Sequence, residues 1–455
     1  MSVESLNVDL GRYIQQVRCC QPLRAEGSVT EVVGLTIEVR GIRAQIGELC
    51  YLLPQGRADR VPAEVVGFRH DCALVMPLGD LEGIQPGTRV LSTRSTFRVP
   101  VGEGLLGRVV DGLGRPLDGG GPILSATSYP ATNAAPHPLK RTPIREPLVT
   151  GVRAIDGLLT IGKGQRIGIF AGSGVGKSTL MGAIARNARS DVSVVGLIGE
   201  RGREVQEFID RDLGPEGMKR SVVVASTSDQ PALVRLKGAW VATAIAEYFR
   251  DQGLDVTLLM DSVTRFAMAQ REIGLAIGEP PARKGYTPSV FAMLPKLLER
   301  AGTSERGSIT GFYTVLVEGD DFNEPISDAA RSILDGHVML TRELAAENHY
   351  PAIDVLQSIS RLMTTVAERE HQERAGYVKE MLAVYTKARD LINIGAYQPG
   401  SSAEIDEAIA VMPAILGFLR QDTAASGFNE TVDWLSKLQP PPTPVMPAAP
   451  TRAGR

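Results

Sequence analysis

The sequence predicts an α/β protein whose central parallel sheet carries a phosphate-binding loop, with a small β-barrel or sandwich before it and helices after it. Three observations lead there. First, Ala171-Gly172-Ser173-Gly174-Val175-Gly176-Lys177-Ser178-Thr179 follows the apolar run Ile167 to Phe170 and precedes the helix formers Leu180 to Arg186. Second, apolar strands alternate with helical stretches from Ser193 to Leu340, the pattern of a parallel sheet covered on both faces. Third, closely spaced short β segments fill Gly27 to Arg98, whereas from about Met363 onward only helical patterns occur.

Whole-chain properties narrow the class further. At 455 residues the chain holds two or three domains, because single cores rarely grow beyond roughly 250–300 residues. A net charge of −3, from 49 basic and 52 acidic residues, gives no global field favouring nucleic acid. All four cysteines (Cys19, Cys20, Cys50, Cys72) lie in the first 72 residues without C-x-x-C metal spacing, so reduced thiols are expected. No apolar run approaches the roughly 20 residues of a membrane span, and no signal pattern opens the chain. The expectation is a soluble, cytoplasmic protein with peripheral membrane contact at most.

Taken in order, residues 1–26 form an arm. Within it Val3, Leu6, Leu10, Tyr13, Ile14 and Val17 make one apolar stripe at helical spacing, suited equally to internal packing or to a partner. Residues 27–98 carry the expected strands Ser28–Val33, Leu35–Val39, Leu49–Leu53, Ala63–Phe68 and Cys72–Met76, punctuated by glycines. A Gly-rich stretch and a Pro-rich, extended connector (130–147) then lead into the nucleotide-binding region, 99–362. Its strands are placed at Ser193–Ile198, Ser221–Ala225, Val256–Met260, Ser308–Val317 and Val338–Leu340, with helices at Pro231–Asp251 and Met293–Ala301. Residues 363–439 read as helices over Gly376–Ile394, Ala403–Gln421 and Asn429–Leu438, and 440–455 is a Pro/Ala-rich tail expected to be disordered.

The chemistry concentrates at expected strand ends, where parallel sheets bind ligands. Glycines 172, 174 and 176 let successive N–H groups converge on phosphate oxygens, joined by the backbone of Ser173, Val175 and Thr179. Lys177 supplies a mobile charge for the β/γ-phosphates and the Ser178 hydroxyl a ligand for Mg²⁺. Ala171 stands where the G-x-x-x-x-G-K-[ST] pattern has its first glycine, which removes the freedom to adopt positive φ there. Glu200, ending one strand, is placed to orient or deprotonate an attacking water, with Arg201 beside it for a phosphate. By themselves these residues fit a salt-bridged helix start better than a catalytic role. Asp261, after Val256–Met260, fits the Walker-B acid that holds Mg²⁺ through water, the alternative being a helix cap.

Five long stretches carry a family resemblance: GERGREVQEFIDRDLG (199–214), MDSVTRFAMAQREIGLAIGEPP (260–281), GYTPSVFAMLPKLLERAG (285–302), FYTVLVEGDDFNEPISDAARSILDGHVMLTREL (312–344) and YPAIDVLQSISR (350–361). From about Thr30 to Gln421 the chain resembles the flagellar and type III secretion export ATPases, relatives of the catalytic subunits of rotary ATP synthases. LINIGAYQPGSSAEIDEAI (391–409) leans toward the flagellum-specific member. The resemblance implies a RecA-like core in a homohexameric ring, an N-terminal β-barrel domain and a C-terminal helical domain. It implies ATP and Mg²⁺ as cofactors, Glu200 as the residue activating water, Arg201 as a γ-phosphate contact and Arg361 as an arginine finger for the neighbouring subunit's nucleotide. It puts Tyr350, and with it Tyr397, near adenine, turns Glu279–Tyr286 toward the ring's pore, and makes residues 3–17 the arm that binds a stator-like regulator. Implied partners are a central-stalk-like coiled coil, the export gate, chaperones and export substrates at the inner-membrane export apparatus.

Other assignments make different demands. An injectisome ATPase shares every motif, while a rotary ATP synthase catalytic subunit would read differently after Gly199-Glu200-Arg201. An RNA translocase would need basic and aromatic residues on the barrel, where residues 27–98 offer only Tyr51, Phe68 and Phe97. A non-catalytic nucleotide-bound subunit is at odds with the presence of both Lys177 and Glu200.

Overall fold

The structure, a computed structural model, describes residues 26–56, 59–317 and 324–438. The apolar stripe at 3–17, Cys19, Cys20 and the tail 440–455 lie outside the described residues. The chain forms two compact units, one comprising residues up to Phe97 with Glu272–Pro280, the other Arg98–Arg271 with the chain from Pro281 on.

The first unit contains a closed six-stranded barrel. Its strands are β1 (Glu26–Val33), β2 (Thr36–Arg40), β3 (Glu48–Leu53), β4 (Val61–Arg69), β5 (Cys72–Pro77) and β6 (Arg89–Thr96), in the order β1-β2-β5-β4-β3-β6. Period-two alternation builds it: Val29, Ile37, Val39, Cys50, Leu52, Val65, Val75 and Val90 point inward and are buried. The sequence left barrel and sandwich open because β6 was not foreseen. Arg89-Val90-Leu91-Ser92-Thr93-Arg94 has few apolar residues, yet it pairs with both β1 and β3 and so closes the cylinder. Ser92 earns its place there, since its hydroxyl donates to Glu48, a buried carboxylate that also accepts from the Arg94 and Gln45 amides. Cys50 and Cys72 are buried free thiols. Burial, with Glu48 and Glu64 nearby, pushes the Cys50 thiol up to about 12, so it is unreactive at neutral pH.

The second unit is built on a nine-stranded sheet. Its main path uses β7 (Val109–Asp111), β8 (Arg166–Ala171), β9 (Val192–Glu200), β10 (Ser221–Thr227), β11 (Asp255–Asp261), β12 (Ser308–Leu316), β13 (Gly336–Leu340) and β14 (Ile353–Ser360). They run β14-β13-β8-β12-β11-β9-β10-β7, all parallel except β14, which pairs antiparallel with β13. The expected strands recur with ends shifted by at most two residues. β7, inside the Gly-rich stretch, and β14, whose burial alternates only in part, were not expected.

Alternate residues of each strand face opposite layers. Ile169, Val195, Leu197, Val223 and Leu259 pack with α1 (Arg153–Leu158) and α2 (Lys177–Asn187) in one large core. Gly196 and Ile198 face the other way onto α3 (Ala232–Asp251), where a Cβ on Gly196 would lie 3.2 Å from that of Ala242. Three C-terminal helices, α4 (Arg369–Asn393), α5 (Ala403–Leu419) and α6 (Phe428–Lys437), join the first core through Val378, Ile415, Phe418 and Leu435. Nucleotide-binding sheet and C-terminal helices therefore share apolar packing, and no described helix is long and apolar enough to cross a membrane.

On the α3 side a charge pair is wholly enclosed. Arg300 donates through Nε and Nη2 to Glu247 at 2.8 and 2.6 Å, and through Nη1 to Ala131 O at 2.6 Å, with both side chains fully buried. Its guanidinium also lies 5.4 Å from the Trp240 ring centroid. The pair thereby fastens the connector to α3. Removing one partner strands the other charge in the core. Arg300→Met should therefore lower unfolding free energy by about 3–5 kcal/mol, and Arg300→Met with Glu247→Leu should recover most of it. Chemical denaturation of the three proteins checks this, and additive losses in the double variant would refute it.

Candidate functional site

β8 delivers the chain to the phosphate loop and α2 carries it away. Ala171 is still strand, paired with Leu316 and Leu340, and is absent from the positive-φ residues. The missing first glycine of the motif is thus no defect, because this backbone never needed it. Gly174 and Gly176 are different. Their φ values are 81° and 88°, and Gly176 is the left-handed N-cap of α2. The first amides of α2, at Lys177, Ser178 and Thr179, have no intrahelical acceptor and are available to an anion. Val175 is buried and contributes only backbone to the loop, whereas Ser178 and Thr179 are exposed.

The carboxyl ends of four strands meet this loop. The Lys177 ammonium donates to Asp261 Oδ1 at 2.5 Å and lies 3.8 Å from Glu200 Oε1. Asp261 ends β11 and accepts at the same Oδ1 from Thr314 Oγ1 of β12 at 2.7 Å. Its peptide bond to Ser262 is cis. Asp261 does not accept from the helix that follows, where Ser262 Oγ accepts from the Arg265 amide at 3.2 Å; it is buried against the loop lysine instead. Glu200 ends β9. Burial first, then the negative charge of Asp261, push its carboxyl up to about 7, against the opposing pull of Lys177. Protonated Glu200 donates to Glu204, which in turn accepts from Arg201 at 2.9 Å. Arg201 is largely exposed and lines the same cavity of about 550 Å³, with Gly172–Gly174 and Gly176–Thr179.

Arg265 and Arg342, which the sequence did not single out, also line it. Arg265 follows Asp261 by four residues, and its stem covers Gly199. There φ is 71°, and an added Cβ would come within 3.0 Å of Arg265 Cβ. An arginine one helical turn beyond an acid at a strand end was the available signal.

A second, mainly apolar cavity of about 380 Å³ opens on the other side of Gly176 and Thr179. Tyr350 forms one wall, its ring carbons 3.5 and 3.6 Å from where a Gly176 Cβ would be. Val152, Leu180, Ala183 and the segment Gln421 to Ala424 line the rest of it. The phosphate cavity and an aromatic-edged apolar cavity thus adjoin, as a nucleoside triphosphate requires. The residues present fit ATP with Mg²⁺: open positive-φ glycines, a loop lysine, an exposed hydroxyl at Ser178 and a buried acid at Asp261. Two expected residues stand elsewhere. The Tyr397 hydroxyl donates to Ser402 O at 3.0 Å and to Asp406 Oδ1 at 2.9 Å, locking the turn into α5, so it lines neither cavity. Arg361 follows β14 at the sheet edge, exposed, its guanidinium 3.5 Å from Arg331 O, and it too lines neither cavity.

Comparison with known proteins agrees with this geometry. Residues 29–94, 151–360 and 367–437 match, in order, the beta-barrel domain and the nucleotide-binding domain of the ATP synthase alpha/beta family and the T3SS EscN ATPase C-terminal domain. The flagellum-specific ATP synthase of Bacillus subtilis (strain 168) is 57% identical over 398 residues, 87% of this chain and 91% of that protein. The type 3 secretion system ATPase of Xanthomonas euvesicatoria is 53% identical over 91% of this chain and 94% of its own length. The assembled ATPase EscN of enteropathogenic E. coli superposes with a TM-score of 0.86 at 47% identity, over 90% of this chain and 99% of that one. By sequence, domain order and fold, the chain belongs to the flagellar and type III secretion ATPases of the ATP synthase alpha/beta family.

Proposed function

We propose that this protein is the ATP hydrolase that energises protein export through a flagellar type III apparatus, working as a homohexameric ring. The observation that carries the chemistry is the trio Lys177, Asp261 and Glu200 at the phosphate loop, with the Glu200 carboxyl poised at about 7. Lys177 and the loop amides hold the β- and γ-phosphates. Ser178 and Asp261 would hold Mg²⁺, which would supply positive charge to offset the negative charge of the phosphates. Glu200 accepts a proton from water as that water bonds to the γ-phosphorus and the bond to the ADP oxygen breaks. Arg201, released from Glu204, meets the charge of the transferring group, and Arg361 of the adjacent subunit completes the set.

Assembly into a ring with a coiled-coil stalk in the pore is supported by EscN, solved both assembled and with its central stalk EscO. Flagellum-specific proteins at 57%, 53% and 56% identity support the flagellar assignment. An injectisome is the second reading, favoured by the match of 367–437 to the EscN C-terminal domain. We assign 1–26 to an arm for a stator-like regulator, 27–98 to the barrel, 99–362 to the RecA-like core and 363–439 to the helical domain. The protein acts in the cytoplasm, peripheral to the inner membrane, with the export gate, chaperones and substrates as partners and no role for nucleic acid.

Two measurements test the chemistry. Glu200 is a competent base only when ionised, and its raised value means ionisation occurs as pH rises through about 7. kcat/KM, which reports the free enzyme, should therefore fall on going from pH 8 to pH 6 with a midpoint near 7. Glu200→Gln should lose on the order of 10²–10⁴ in turnover, abolish that limb and still bind ATP. A pH-independent wild-type kcat/KM would remove Glu200 from the role.

The shared site is tested by mixing. Arg361→Ala should fold and bind ATP but lose roughly 10³–10⁵ in turnover, and Lys177→Ala should be equally inactive. Mixed rings contain interfaces that pair an intact Lys177 with an intact neighbouring Arg361, so phosphate release should reappear on mixing. No recovery in rings proven to be mixed would place Arg361 within its own site.

A further inference from the structure

Gln421 is bonded on every side. Its main-chain N–H donates to Tyr350 O at 2.9 Å. Its side-chain amide nitrogen donates to Gly151 O at 2.8 Å and to Ala424 O at 2.7 Å, and its Oε1 accepts from the Arg153 amide at 2.8 Å. These partners belong to three segments far apart in sequence: the turn 150–153 before α1, the Tyr350 segment, and the stretch that follows α5. Each of them lines the apolar cavity beside Gly176.

Secondary contacts hold the same wall but touch less of it. Arg153 donates through Nε to Phe418 O at 2.8 Å and through Nη2 to Arg420 O, capping the last carbonyls of α5. Asn187 Nδ2 approaches Thr423 O at 3.4 Å. The turn at Gly151 is fixed from below by Asp156, a fully buried carboxylate that accepts from the Thr150 and Gly151 amides at 2.9 Å each. Among the described residues, Gln421 joins all three segments through its own hydrogen bonds.

We propose that Gln421 is the positioning residue that assembles the base wall of the nucleotide site. This rests on the reading of that site as an ATP site. The cavity is lined mostly by carbon, so it holds the base by shape and apolar contact, and both depend on the walls keeping their spacing. Gln421 sits at the end of α5, whose Ile415, Phe418 and Leu419 lie in the shared core. Displacement of the segment after α5 would therefore loosen the grip on the base, whereas no residue of that segment lines the phosphate cavity. Base and phosphates are recognised by two halves of one site that share α2, and only the base half also rests on the segment after α5.

The test compares two ligands on the full chain: ATP, through its KM, and inorganic tripolyphosphate, through its inhibition constant against ATP hydrolysis. Gln421→Ala should raise KM for ATP about tenfold, with a smaller loss in kcat, and leave the tripolyphosphate inhibition constant within about twofold. Gln421→Glu keeps the acceptor for Arg153 and loses the two side-chain donors, so it should fall between wild type and Gln421→Ala. It also carries the test if the alanine variant does not fold. An equal weakening of both ligands would make Gln421 a general structural residue, and an unchanged KM for ATP would remove it from the site; either overturns the proposal. Failure of the underlying reading looks different, since tripolyphosphate would then not compete with ATP in the wild-type protein.

Discussion

The 2.5 Å contact between Lys177 and Asp261 organises everything else in the active half of the molecule. It joins the first residue of α2 to the last residue of β11, with β12 between their strands contributing Thr314 as a third member. Both charged side chains are largely enclosed, where electrostatic attraction is stronger than in water and an unmatched charge is costly. The strand order brings this about. β8, β12, β11 and β9 are consecutive neighbours, so the residues that leave their carboxyl ends are forced into one crevice. An anion seated on the loop would compete with Asp261 for the same ammonium group.

Glu200 depends on that pair. Its raised ionisation comes first from burial at the end of β9 and second from Asp261. Lys177 partly offsets both, so a ligand that draws Lys177 away leaves Glu200 the stronger base. The same carboxyl is hydrogen-bonded to Glu204, and Glu204 to Arg201. Glu200 and Arg201 are therefore held in one short chain of contacts rather than as independent groups.

Around this centre the protein keeps its recognition elements on different supports. Phosphate binding is built on the loop and α2, which are fixed by the sheet. The base cavity is built from α2, Tyr350 and the segment behind α5, which belong to one core with the C-terminal helices. Arg361 stands at the sheet edge after the antiparallel strand β14, away from its own phosphate loop. A site divided in this way suits a machine in which neighbouring subunits and the C-terminal helices each influence turnover.

How much of this was legible beforehand follows from the range of the interactions. The phosphate loop, the strand-end positions of Glu200 and Asp261 and the alternation of strands and helices are local patterns, spelled out within a dozen residues each. The closing strand β6, the edge strand β14 and the β7 segment were not legible, because β6 has little apolar content, β7 is three residues long, β14 alternates only in part, and partners distant in sequence make them strands. Arg265 gained its place by packing over Gly199, and Tyr397 lost its expected one to Ser402 and Asp406. The wall formed by Gln421 to Ala424 carries no motif at all. It exists because backbone groups at Gly151, Arg153 and Tyr350 converge on one amide, a convergence that only the packing of α5 against the nucleotide-binding core creates. By itself the sequence determined where the phosphate loop lies and which charged residues end its neighbouring strands, since charge and glycine spacing are local. The tertiary structure decided which of them meet, since that depends on strand order and on a core assembled from both ends of the unit.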